Sequence, residues 1–368
     1  MVEWKKLGEV ANLVRGKVIS KDFIRDNAGI YPVYSSQTAN DGVLGYIDSY
    51  MFDGDFLTWT TDGAYAGTIF RRKGRFNITN VCGLMDITDQ RLLQDYLYYW
   101  LSLIAKSYVQ EGMGNPKLMS NVASTILIPI PSLSEQSRIV SILDTFTSSI
   151  SNLKQQIEER RKQYEYERNL LLDLEGKEGV EMKTLGEVAN FVKDRIEASF
   201  LNSQNYVSVE NLLKDKAGRI DSENVPFKGN WSCYKHGDVL IGNIRPYLRK
   251  IWLADRKGGT NGDVLIIRPN EFILPQFLYC VLASEKFFEY YNQTAKGGKM
   301  PRGEKSRALS YIIPLPPLST QSRIVSILDT FEQSISNLEE QLAMREKQYE
   351  YYRNQLLTFE GEEERGKT

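Results

Sequence analysis

Residues able to carry out catalysis are few and scattered along this chain. The run GEEERGKT at 361–368 spells the phosphate-binding pattern G-x-x-x-x-G-K-S/T, in which backbone amides hold phosphates where a strand turns into a helix. Here it follows a long helical pattern and Thr368 is the last residue, so the strand and helix that the chemistry needs are not in place. His236 is the only histidine, which excludes multi-histidine metal sites and any pairing of two imidazoles; a solvated position is expected for it. NIRPY at 243–247 shares an asparagine and a tyrosine with the Asn/Asp-Pro-Pro-Tyr/Phe motif of amino-group methylation. It lacks the paired prolines, and no glycine-rich cofactor loop precedes it. Asp53 and Asp55 (DGD) and Asp238 (HGD) are expected in turns, where carboxylates satisfy local backbone donors. No carboxylate and lysine cluster suited to a nuclease is evident. Cys82, Cys233 and Cys280 are odd in number and lack CxxC spacing, which favours buried thiols in a reducing compartment over disulfides or zinc. Recognition or scaffolding is therefore favoured over catalysis.

The composition, 42% hydrophobic and 25% charged with 12 Pro and 27 Gly in 368 residues, is that of a folded protein with room for two domains. The N-terminus MVEWKKLGEV has no apolar run after its basic residues, and no segment approaches the roughly 18 consecutive apolar residues of a membrane span. A cytoplasmic protein with no membrane partner is expected. Net charge is −1, unevenly distributed: 0 over 1–127, −2 over 128–180, +5 over 181–312 and −4 over 313–368. Any charge facing nucleic acid would then lie in RRKGR (71–75) and RPYLRK (245–250), which contain no acid.

The phrase QSRIVSILDTF occurs at 136–146 and again at 321–331. Without gaps, 128–176 and 313–361 match at 34 of 49 positions, and LGEVAN at 7–12 returns at 185–190. The chain is a variable region and a repeated segment, twice over, which implies internal structural symmetry. In each repeat apolar residues alternate at spacings of 4 and 3: Ile139, Leu143, Phe146, Ile150, Leu153 and Ile157, matched by Ile324, Leu328, Phe331, Ile335, Leu338 and Leu342. Such a heptad seam calls for a partner helix. Ser134 and Ser319 are the expected N-caps, and Gly176 and Gly361 the expected stops, bounding rods of about 40 residues and about 60 Å. Packing the two rods antiparallel within one chain satisfies both seams; separate packing on each domain, or an intermolecular coil, would be alternatives. Arg160 and Arg345, at matching seam positions, are expected to snorkel past the apolar surface.

Each variable region carries β-rich runs, DFLTWTT, GTIFRR and FNITNV in the first and GDVLIGNI and GDVLIIRP in the second. Each ends in one aromatic helix (91–110, 275–295), a Gly/Lys loop and a short strand. The expected fold class is α+β: two mixed α/β globular regions separated by two long antiparallel helices, an intramolecular coiled coil with a pseudo-twofold repeat.

IPIPSLSEQSRIVSILD and IPLPPLSTQSRIVSILD, the two LGEVAN starts, DGDFLTWTTDGAYAGTIF and GDVLIGNIRPYLRKIW together resemble the specificity subunit of type I restriction-modification systems over essentially the whole chain. The resemblance implies two target recognition domains (1–130 and 179–315), conserved helical spacers (131–178 and 316–362) and a C-terminal tail (363–368). It implies double-stranded DNA with a bipartite target as ligand. Two modification (methyltransferase) subunits performing adenine N6 methylation would dock on the helices, and restriction subunits would complete the enzyme. The chain itself would be non-catalytic and bind no cofactor or metal, S-adenosylmethionine, and ATP with Mg, being used by its partners. A rod between two readers fixes a non-specific gap; readers on one face of B-DNA want half-sites about 34–36 Å apart.

Arginine suits guanine, asparagine adenine and lysine phosphate. The candidate DNA-binding residues are therefore Thr60, Thr61, Asp62, Tyr65, Arg71, Arg72, Lys73, Arg75, Asn115 and Lys117 in the first region. In the second they are Asn243, Arg245, Tyr247, Arg249, Lys250, Lys296, Lys299 and Arg302. The helix faces QYEYERN and QYEYYRN suit a protein partner. A protein-only coiled-coil adaptor is the alternative function, and a stand-alone nuclease or methyltransferase is disfavoured by the missing motifs.

Overall fold

The structure, a computed structural model, describes residues 2–111, 114–293 and 295–359. The chain forms two compact units, one holding residues up to Leu153 together with those from Gln341 onward, the other Lys154–Glu340. The unit boundaries thus fall inside the repeated segments rather than at their ends.

In unit 1 the order is β1 Glu3–Lys6, α1 Leu7–Val10, β2 Ala11–Arg15, α2 Lys21–Asp26, β3 Ala28–Tyr34, β4 Val43–Ile47, β5 Phe52–Thr60, β6 Ile69–Ile78, β7 Cys82–Ile87, α3 Gln94–Ile104, α4 Ser120–Ala123 and β8 Leu127–Ile130, leading into the long helix α5 Leu133–Leu172. Six strands form one sheet in the order β2-β7-β5-β6-β3-β4. FNITNV is no separate strand: its first residues extend β6, and β5 pairs with β6 along an eight-residue register. Leu57 and Trp59 of the sheet, Leu97 and Trp100 of α3, and Ile139 and Leu143 of α5 bury one core.

Unit 2 repeats the plan with β9 Glu181–Thr184, α6 Leu185–Val188, β10 Ala189–Phe191, β11 Arg195–Glu197, β12 Asn230–Tyr234, β13 Val239–Gly242, β14 Ile251–Leu253, β15 Gly258–Thr260, β16 Val264–Pro269, α7 Pro275–Leu282, α8 Glu285–Gln293, α9 Lys305–Leu309 and β17 Ile312–Leu315, and leads into α10 Leu318–Leu356, whose last turns belong to unit 1. The sheets here are smaller, β10-β16-β13-β14 and β11-β12-β15. The expected single helix over 275–295 is two helices. Ala283 closes the first through its N–H to the Tyr279 carbonyl, and the Ser284 hydroxyl caps the second by accepting from Phe287 N at 3.3 Å.

The repeated letters do the same work twice. Glu9 accepts the Lys6 amide and Glu187 the Thr184 amide, each at 2.6 Å, capping the starts of α1 and α6; β1 pairs with β8 and β9 with β17. Gln136 and Gln321 are fully buried. Gln136 Nε2 donates to Arg91 O and Pro131 O, and its Oε1 accepts from Leu93 N. Gln321 does likewise with Phe272 O, Pro316 O and Leu274 N. Each glutamine ties the start of a long helix to the start of its unit's aromatic helix.

The long helices pack on each other. Within unit 1 the Phe146 ring stacks on Tyr352 at 5.3 Å and the Arg345 guanidinium lies 5.7 Å from Phe146. Within unit 2 Arg160 lies 5.9 Å from the Phe331 ring and Tyr164 donates to Glu332 at 2.7 Å. Early residues of one helix meet late residues of the other in both units, so the pair is antiparallel and intramolecular, with related contacts at related positions. The N-caps differ from expectation. Both helices begin before Ser134 and Ser319, and in α5 the Ser132 hydroxyl accepts from Glu135 N at 3.3 Å. Helix α5 ends at Leu172; Gly176 does take the left-handed φ of 73°, but in a turn beyond the helix. Gly361, GEEERGKT and the tail 363–368 lie outside the described residues.

Candidate nucleic-acid interface

Each unit joins a strand end, a loop and a return segment in the same way. Past β5, Leu118 N donates to Thr61 O at 2.9 Å and Gly63 N to Pro116 O at 3.0 Å, while Gln110 and Lys117 exchange two backbone bonds of 2.8 and 3.1 Å. Past β13, Gly303 N donates to Asn243 O at 3.1 Å and Arg245 N to Pro301 O at 2.7 Å, while Lys296 and Arg302 exchange two bonds of 2.9 Å. Thr61, Gly63 and Tyr65 therefore correspond to Asn243, Arg245 and Tyr247, and Asn115-Pro116-Lys117 to Met300-Pro301-Arg302. The equivalence was not anticipated from sequence, although the shared Pro-basic dipeptide before each closing strand was its available signal. Tyr65 and Tyr247 are both more than half exposed.

Both loops need left-handed backbone at the same place, φ +94° at Gly63 and +51° at Arg245. Glycine takes that conformation freely, whereas a side chain there costs about 1–2 kcal/mol. Gly303 answers a different demand: a Cβ on it would meet the Tyr291 ring at 2.0 Å.

Thr60, Thr61 and Arg72 are buried, and the expectation that they face DNA is corrected for these three, whereas Arg71 and Asp62 keep part of their side chains at the surface. Thr60 and Thr61 are fully buried. The Thr60 hydroxyl donates to Tyr65 O and accepts from Thr68 N at 3.0 Å, and the Thr61 hydroxyl donates to Asp62 at 2.6 Å and accepts from Arg15 at 3.2 Å. Arg72 is buried, paired with Asp41 at 2.7 Å and 3.6 Å from the Tyr34 ring centroid. Arg71 pairs with Asp95 at 2.8 Å and Asp144 at 3.2 Å and lies over Tyr98, fastening β6 to α3 and α5. Asp62, half-buried, sits 3.7 Å from both Arg15 and Lys117. Tyr65, Lys73, Arg75, Asn115 and Lys117 are or border on exposed surface. Asp53 and Asp55 lie in β5 rather than in a turn, directly across from Arg75 and Lys73. The basic run RRKGR is thus countered by DGD on the neighbouring strand.

In unit 2, Asn243 is buried and accepts the Tyr291 hydroxyl. Arg249, also left-handed at φ +49°, binds Asp215 and, at 2.9 Å, Glu285. Lys216 bridges Glu285 and Glu165 at 3.1 Å each, so the loop 245–250 is clamped from below. Lys250 donates to Val209 O at 2.6 Å, and burial draws its ammonium below the ordinary lysine range. Asn243 is therefore corrected as well, from a DNA-facing to a supporting position, while Arg249 and Lys250 are half-buried and held by these internal partners. Lys296 pairs with Glu304 at 2.7 Å and Arg302 with Asp263 at 2.9 Å, all on the surface, where such pairs are worth at most about 1 kcal/mol and exchange readily. Tyr247 and Lys299 are exposed.

The family model for the type I restriction modification DNA specificity domain matches residues 1–160 and 177–344. The chain belongs to the type I restriction-modification specificity family. A putative type I specificity subunit of Mycoplasma pneumoniae is 28% identical over 361 residues, covering 96% of each chain. The specificity subunit of an Escherichia coli type I restriction enzyme is 28% identical over 395 residues, covering 97% of this chain and 94% of that one. Among solved structures, the S subunit of a type I system from M. genitalium superposes with a TM-score of 0.64 at 16% identity, covering 97% of both chains.

A specificity subunit recognises DNA sequence, and this one holds no group of three or more His, Cys, Asp or Glu residues placed to bind a metal ion among its described residues. His236 is exposed, and Cys82, Cys233 and Cys280 are free and buried. Desolvation pushes the Cys82 and Cys280 thiols up to about 12, far from nucleophilic range. Asp238 accepts Lys235 N at 2.8 Å, the turn role expected of it, and also two bonds from Arg268. No helix among the described residues is long and apolar enough to cross a membrane.

Proposed function

We propose that this specificity subunit reads a bipartite double-stranded DNA target, unit 1 addressing one block and unit 2 the other, across a fixed gap set by α5 and α10. The observation that carries this is the contrast between repeats. The two units share one scaffold but place unlike residues at corresponding loop positions, Gly63 against Arg245 and exposed Asn115 against exposed Met300, while the repeated segments match at 34 of 49 positions. Two readers of one design with different surfaces fit two different short sequences. The same helices dock two modification subunits, which transfer methyl groups to adenine N6 from S-adenosylmethionine. Restriction subunits using ATP and Mg join that complex, and this chain supplies no catalytic group. Exposed Tyr166, Met344 and Tyr351 on the long helices are suitable anchors for such partners, and a solved relative of TM-score 0.58 comes from work on assembly of a type I system. Methylated adenines mapped in cells carrying this chain with its modification subunits test the reading. A two-part motif with one constant gap is expected; a continuous motif, or copurification without sequence-selective methylation, overturns it in favour of a protein-only adaptor.

A further inference from the structure

Arg245 combines three features found together nowhere else among the candidate residues. It occupies the left-handed backbone position that unit 1 fills with Gly63. Its Nε is buried without a hydrogen-bond partner, whereas the loop's other left-handed arginine, Arg249, is bound by Asp215 and Glu285. It also lines a cavity of about 440 Å³ together with Tyr206, Asn224, Asn261, Asp263 and Met300. Two carboxylates share that cavity, Asp263, which Arg302 engages at 2.9 Å, and Glu210, and Arg245 forms an ion pair with neither. A left-handed backbone carrying a side chain whose Nε has no partner inside the protein points to a function outside the folded chain.

We infer that Arg245 is a base-reading residue of unit 2, pairing its guanidinium fork with the O6 and N7 acceptors of a guanine in the block that unit 2 addresses. The loop holds the Arg245 backbone in place. Arg245 N is fixed to Pro301 O at 2.7 Å, Leu248 N to Arg245 O at 2.9 Å, and Lys250 Nζ to Val209 O at 2.6 Å. A phosphate needs only a point charge, which exposed Lys299 can offer, whereas the planar guanidinium fork on an anchored backbone matches the paired acceptors of guanine. Unit 1 has no side chain at the matching Gly63, so its block is read by other groups, and the two units differ at this position by design of sequence rather than of fold. The inference rests on the reading that each unit addresses its own block.

Arg245→Gly is the informative variant, since glycine suits the left-handed position as it does at Gly63; Arg245→Asn, which also tolerates that backbone, serves as the second. Each is assembled with the modification subunits, its fold verified by thermal melting, and its methylation motif and competition gel shifts compared with the parent. One guanine requirement should be lost from one block, with discrimination falling roughly 5- to 150-fold, and the other block unchanged. An unchanged motif overturns the inference. So does uniform weakening on all sequences with a salt slope smaller by about one, the mark of a phosphate contact. Changes in both blocks would instead overturn the two-block reading on which it rests.

Discussion

Gln136 and Gln321 are the first letters of the repeated phrase, and each makes three hydrogen bonds in a site that excludes water. Gln136→Ala would strand Leu93 N and two carbonyls, each a buried polar group without a partner. A loss of about 2–3 kcal/mol is expected, read as a lower urea midpoint for unit 1, with Gln321→Ala doing the same for unit 2; an unchanged midpoint would mean that water replaces the side chain. The identity of these residues was visible in the sequence but their task was not, because heptad spacing reports apolar faces and is silent on a polar residue pointing into the same core. The arginines misled for a related reason. RRKGR reads as a patch of free charge, yet the pleat turns Arg72 inward, and β5 sets Asp53 and Asp55 opposite Arg75 and Lys73. A run of letters holds no record of its cross-strand neighbours.

At the scale of elements, the long helices were the most legible part of the chain, since a seam repeated over several heptads leaves few alternatives. Their partner and direction followed from chain economy, and the contacts of Phe146, Phe331 and Tyr352 agree. The start of α5 was less legible, because the Ser132 hydroxyl two residues earlier caps it equally well. The aromatic helix of unit 2 was read as unbroken because Ser284 resembles any other polar letter until its hydroxyl is seen to cap α8. If α5 and α10 act as a ruler, one extra heptad in each, inserted at the unit boundaries, keeps the seam in phase and adds about 10 Å. The methylation motif should keep both blocks and gain about three base pairs of gap. A gap unchanged by the insertion would show that the helices do not set it.

For the molecule as a whole, the charge layout sets how it meets a polyanion. The net charge is −1, and most candidate cations already face a carboxylate, as Lys73, Arg75, Lys296 and Arg302 do. The isolated chain should therefore bind DNA weakly, with log K falling against log salt at a slope of about −2 to −4, and the slope should steepen when modification subunits join. Fluorescence anisotropy over a salt series measures both; a slope near −8 for the chain alone would mean that the surface pairs open and all turn toward phosphate.

Unit 1 is built from two stretches far apart along the chain: Phe359 packs against Trp4 and Trp100, and Leu357 is sealed in the core begun by Leu7. On the ribosome, then, unit 2 emerges whole while unit 1 waits for the second half of α10 to be translated. A message interrupted before codon 341 would release a chain whose earliest-made half stays open, sticky and ready for degradation.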